Sequence, residues 1–188
     1  MSTTTVVIWL TTAQYAWLEA VSVDNEGAEA AWLADQRERL GIPQDEPLPL
    51  ALRLEVAATR PQRWPRQVHL VNDAIRTRLS LPDLAGPWKP WTPQERELHH
   101  LAGRRIGTPR QGFDMKASYD LDTTTVEAAR LAADRVSEPA IAALKAERLI
   151  GPSARRSRAA TARRTELQAQ IYTLGRIIRQ GINLLQEP

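Results

Sequence analysis

The sequence predicts a mainly α-helical protein with a small antiparallel β-ribbon, and three observations carry that expectation. Two short stretches read as strands: Thr3–Leu10, three threonines followed by a β-branched and apolar run, and Met115–Leu121, in which apolar residues alternate with polar ones. Elsewhere apolar residues recur at helical spacing, most clearly from Leu167 to Leu185. Ten of the thirteen prolines lie between Pro43 and Pro109, so the middle of the chain is cut into short pieces while both flanks read as regular structure.

Taken in order, "TTTVVIWL" predicts a strand with Val6, Ile8 and Leu10 on one face and Thr5, Val7 and Trp9 on the other. Thr11 or Thr12 then caps a helix through Ser22, and a second helix from about Glu26 to Leu40 is stopped by Gly41 and Pro43. In the middle, Pro65 opens a helix whose stripe is Val68, Val71, Ile75 and Leu79. Thr92, Pro93 and Glu95 form a capping box for another helix, which ends at Gly103. A strand from Met115 to Leu121 follows, needing a partner strand from either Thr3–Leu10 of the same chain or a second copy. It feeds a helix from about Thr123 to Arg135; Ser137 caps a second helix, with Pro139 in its first turn and Gly151 and Pro152 at its end. Last, Leu167, Ile171, Leu174, Ile178, Ile182 and Leu185 form one stripe of an amphipathic helix that must be buried on its own domain or on another chain. Gly175 and Gly181 each cost about 1 kcal/mol in such a helix unless packing needs them. These boundaries divide the chain into a strand-helix-helix unit (1–41), a Pro-rich middle segment (42–113), a second strand-helix-helix unit (114–151) and a basic linker with a C-terminal helix (152–188).

With 188 residues, 43% of them apolar, the chain can build a real core. No stretch approaches the apolar length of a membrane span, the start lacks the pattern of a signal peptide, and no membrane partner is expected; a cytoplasmic location is the default. The absence of cysteine excludes disulfides, thiolate metal sites and thiol nucleophiles. The formal charge is only +3, but residues 151–188 carry seven Lys/Arg against two Asp/Glu, while 1–58 carry three against nine. Partners of the basic part should be anionic.

Little points to catalysis. The three histidines are His69, His99 and His100, and the pairing of Glu95 with His99 supplies no third metal ligand. There is no glycine-rich phosphate loop and no nucleophile elbow, so neither an enzyme nor a cofactor is expected. Nucleic-acid binding has better physical support. Arg155, Arg156, Arg158, Arg163 and Arg164 fall within ten residues. If all five met phosphates, log K would fall against log salt with a slope of about −4.5. Arg104, Arg105 and Arg110 form a second basic group. Trp88 and Trp91 could stack on a base, although such residues more often pin a proline-rich loop to the core.

The stretch "KASYDLDTTTVEAARLAADRVSEPAIAALKAERL", a strand followed by two helices, resembles the ribbon-helix-helix family of DNA-binding proteins. "RWPRQV" looks like the strand-to-helix junction of Arc-type repressors, and the basic linker followed by "ELQAQIYTLGRIIRQGINLLQ" is similar to plasmid mobilisation accessory proteins. The resemblance implies a ribbon that enters the major groove, with Lys116 and Ser118 addressing base edges and the helix start at Ser137 binding phosphate. Asp120 and Glu138 depart from the pattern by placing negative charge there. If 1–41 is a second copy, the fold is a tandem ribbon-helix-helix protein with a long C-terminal helix. The expected function is a plasmid, phage or mobile-element accessory or regulatory protein that binds duplex DNA and self-associates through Leu167, Ile171, Leu174, Ile178, Ile182 and Leu185. The alternative is a phage or plasmid structural or adaptor protein.

Overall fold

Strand propensity is confined to two eight-residue stretches, and they find each other within one chain. In the computed structural model, which describes residues 2–59, 64–95, 112–151 and 153–187, β1 (Thr3–Leu10) and β2 (Met115–Asp122) form a two-stranded antiparallel ribbon. The register pairs Thr3 with Asp122 and Leu10 with Met115. The other regular elements among the described residues are helices: α1 (Thr12–Arg39), α2 (Leu50–Ala58), α3 (Gln67–Leu79), α4 (Thr123–Ala146), α5 (Arg158–Ala169) and α6 (Leu174–Gln186). The protein is therefore mainly α with a small antiparallel ribbon.

The alternation of the strands sets the core. Val6, Ile8, Leu10, Tyr119 and Leu121 turn inward onto Leu18 of α1, Val71 and Ile75 of α3, Val126 and Ala129 of α4, and Ile177, Ile178 and Ile182 of α6. This one cluster draws on all four segments of the chain. α3 and α6 pack most closely: a Cβ on Gly181 would lie 2.0 Å from the carbonyl oxygen of Ala74. The glycine in α6 is thus required by close approach to a helix of the same chain. A second cluster, Ala140, Ile141, Leu144, Leu149, Ala160, Leu167 and Ile171, joins the later part of α4 to α5.

Three helix boundaries differ from those the sequence predicts. α1 runs unbroken through Ser22 and Gly27. Its second half is stitched to the segment before α3: Asn25 donates to the Pro65 carbonyl at 3.0 Å, Arg66 pairs with Glu26 and Glu29, and Trp32 meets Trp64. Those contacts offset what Gly27 costs a helix interior. α1 then ends at Gly41, whose φ of 66° supports a Schellman turn with Ile42 N–H donating to the Arg37 carbonyl.

α4 also runs unbroken, through Ser137 and Pro139. Val126, Ala129, Ala133, Ser137, Ala140, Ile141 and Leu144 keep one continuous buried stripe, and Pro139 faces solvent, where the carbonyl it leaves unpaired can be hydrated. The single C-terminal helix is instead two. Thr173 accepts from Arg176 N–H at 3.1 Å and starts α6, while Arg176 donates to the carbonyls of Ala169 and Ile171 at the end of α5. The stripe predicted for self-association is consumed inside the chain. Leu167, Ile171, Ile178 and Ile182 are buried, and Leu174 and Leu185 pack against the first cluster.

The loop after α3 is pinned as its tryptophans suggest. Trp88 Nε1–H donates to the Leu84 carbonyl at 2.9 Å, and the Arg135 guanidinium lies 5.1 Å from the Trp91 ring centroid. Thr92 and Glu95 form the expected capping box. His99, His100, Gly103, Arg104, Arg105 and Arg110 lie outside the described residues.

Candidate nucleic-acid interface

Pairing of the two strands leaves one face of the ribbon open. Thr5 lies opposite Asp120, Val7 opposite Ser118 and Trp9 opposite Lys116. Lys116 and Ser118 are exposed, as a groove-reading role requires, and Val7 between them is 55% exposed. The Thr5 hydroxyl donates to the Asp120 carboxylate at 2.6 Å, so that acid is held by its cross-strand neighbour. The opposite face is dry enough that burial pushes the Tyr119 phenol up to about 12. At the junction with α4, Asp122 accepts from Thr125 N–H at 2.8 Å, which holds its carboxyl below the usual range. That cap explains how a strand passes into a helix with no intervening loop.

Ser137 is not a helix start. It sits within α4 at 1% exposure, its hydroxyl donating to the Ala133 carbonyl at 2.6 Å and accepting from Tyr172 N–H at 2.8 Å. A phosphate cannot reach it, so its predicted nucleic-acid contact is withdrawn.

The five arginines separate into two kinds. Ser157 caps α5 by accepting from Ala160 N–H at 3.1 Å, and Arg155, Arg156 and Arg158 around that cap are exposed. Arg163 instead bridges Glu147 at 3.1 Å and Glu166 at 2.9 Å, and those carboxylates raise its pKa. Arg164 is half-buried. The contacts of Arg163 with Glu147 and of Tyr172 with Ser137 run α5 antiparallel to α4. The exposed arginines therefore sit at the C-terminal end of α4 and the ribbon at its N-terminal end. At 1.5 Å per residue, α4 itself is roughly 35 Å long.

Folding also gathers residues that the stripe pattern hid. At the end of the ribbon, between the start of α1, the end of α5 and α6, lies a cavity of about 750 Å³ that Arg176 and Arg179 line together. Arg179 donates to the Trp9 carbonyl at 3.0 Å, with its guanidinium 4.1 Å from the Phe113 ring centroid. Burial and the charge of Arg176 lower its pKa. Buried Gln14 donates to Asn183 Oδ1 at 2.7 Å in the same wall. In the sequence the two arginines are three residues apart beside an apolar stripe, which reads as an ordinary solvated face. Only the break at Thr173 turns them toward the ribbon.

Among the described residues, no group of three His, Asp or Glu side chains could hold a metal ion, and no helix is long and apolar enough to cross a membrane. Comparisons with family models, curated proteins and solved structures found no match to this chain.

Proposed function

We propose that this protein binds duplex DNA as an accessory or regulatory factor, with the open face of the ribbon in the major groove and arginines at the start of α5 on phosphates. The observation that carries the proposal is the ribbon: two strands completed within one chain, packed on one face and open on the other. A two-stranded ribbon fits the major groove. Lys116 and Ser118 address base edges there. Arg155, Arg156 and Arg158 neutralise phosphates and add affinity without sequence preference. The helix that separates them from the ribbon, α4, is roughly 35 Å long, about one turn of duplex. Because the ribbon needs no second chain, one molecule is enough to bind. The ribbon-helix-helix resemblance, through the ribbon alone, favours a plasmid, phage or mobile-element setting.

A second proposal, a structural or adaptor protein, draws on α2. Leu50 and Leu54, one helical turn apart, are 72% and 66% exposed, as an apolar contact surface would be. Gel shift of random duplex DNA over a salt series, with molecular mass measured in parallel, separates the two. DNA binding by a monomer that weakens with salt supports the first. Ordered oligomers that form regardless of DNA, with no shift at low salt, overturn it in favour of the second.

A further inference from the structure

Outside the ribbon and the exposed arginines, the cavity at the ribbon's end is the feature whose chemistry the DNA proposal does not use. Two guanidiniums, Arg176 and Arg179, line it, and its described lining contains no carboxylate. Most of the remaining polar wall is neutral amide, including Gln14, Asn183 and Gln186. The Arg179 guanidinium is held over the Phe113 ring and by the Trp9 carbonyl, and Arg176 is anchored at the end of α5, so both cations are positioned before any ligand arrives. Two partly buried cations three residues apart repel each other, and an anion between them relieves that repulsion. Guanidinium forks match phosphate oxygens geometrically, and amides hydrogen-bond to sugar hydroxyls and base edges. A volume of about 750 Å³ suits a small organic ligand.

We propose that this cavity binds a phosphate-bearing molecule of nucleotide size, its phosphate gripped by Arg176 and Arg179 and the rest of the molecule held by the amide wall. The site stands on side chains other than those proposed for DNA. A free nucleotide and a nucleic-acid backbone share the phosphate chemistry, and competition distinguishes the two sources.

The experiment is isothermal titration of the full chain at low salt with AMP, pyrophosphate and, as an uncharged control, adenosine. AMP and pyrophosphate bind and adenosine does not. Asn183→Asp preserves the oxygen that accepts from Gln14 while adding a carboxylate to the wall. The added carboxylate competes with the phosphate for the guanidiniums, and loss of one charge-assisted contact to it weakens AMP binding by roughly tenfold to a hundredfold. Gln186→Glu, at an exposed position on the rim, does the same without touching the core and stands in if the first variant does not fold. Absence of binding by both AMP and pyrophosphate at millimolar concentration overturns the proposal, as does AMP binding that a folded carboxylate variant leaves unchanged. Repeating the AMP titration with saturating random duplex identifies the source: unchanged affinity assigns a free nucleotide, and competitive loss assigns backbone phosphate. AMP binding without any DNA binding leaves this site standing and removes the DNA proposal alone.

Discussion

Replacing Arg155, Arg156 and Arg158 together by alanine tests the proposed phosphate contacts most sharply, because the structure says how many cations the basic segment can offer. Arg163 is committed to Glu147 and Glu166, so the five arginines reduce to four: three exposed and Arg164 half-buried. Each neutralised phosphate contributes about −0.9 to the slope of log K against log salt, so this segment contributes about −3.6. A fourfold rise in salt then weakens binding by roughly 150-fold through these contacts alone. The triple variant keeps only Arg164, a slope contribution of about −0.9, and the same rise weakens binding by roughly 3.5-fold. Fluorescence anisotropy of a labelled random duplex measures both slopes on one day's protein. Arg163→Ala is the internal control and should leave the slope where it is, since that side chain faces carboxylates. A triple-variant slope equal to the wild-type slope refutes the assignment of phosphate contacts, and an Arg163→Ala slope lowered by about one unit refutes the count of four.

Three further predictions concern the frame that holds these surfaces. Ser137→Ala leaves the Tyr172 N–H without its acceptor and should lower stability by about 1–3 kcal/mol in urea denaturation, with DNA binding of the folded fraction unchanged. Gly181→Ala drives a methyl into the Ala74 carbonyl and should cost about 3 kcal/mol or more, whereas Gly175→Ala, whose nearest neighbour is the movable Arg179 side chain, should stay within about 1 kcal/mol of wild type; thermal melts compare them. Asp83 is held at about 2 from an ordinary 3.8 by Arg78, which donates to it at 2.7 Å. Its folded pKa is depressed, so the stabilisation is present above about pH 4 and lost as pH falls through about 2. Because Asp83 is half-exposed, the loss should be about 1 kcal/mol, and Asp83→Asn should flatten that part of the pH profile.

What could be read from the sequence divides along a physical line. Both strands, their inward faces and the caps at Thr11 and Thr92 follow from local periodicity and side-chain chemistry, and all are present. The ion pair of Arg163 with Glu147 and the cavity at Arg176 and Arg179 depend on contacts between different elements, which no local pattern encodes, whereas the pair of Arg163 with Glu166 is an i,i+3 pair on one helix. Ser137 and Thr173 show how the two kinds of signal interact. Each sits where local chemistry offers a helix cap, within an apolar stripe that continues past it; the stripe prevails at Ser137 and the cap at Thr173. The difference lies in what happens to the backbone groups that a break releases. At Thr173 the freed carbonyls of Ala169 and Ile171 accept from Arg176, and the freed N–H of Tyr172 donates to the Ser137 hydroxyl. A buried break is tolerable only when such groups are paired. The serine that the sequence offers as a cap for its own helix therefore does act at a helix break, but one 35 residues later in the chain. Had α4 broken at Ser137, that hydroxyl would have been spent locally, and the turn that directs Arg176 and Arg179 toward the ribbon would have lost its acceptor.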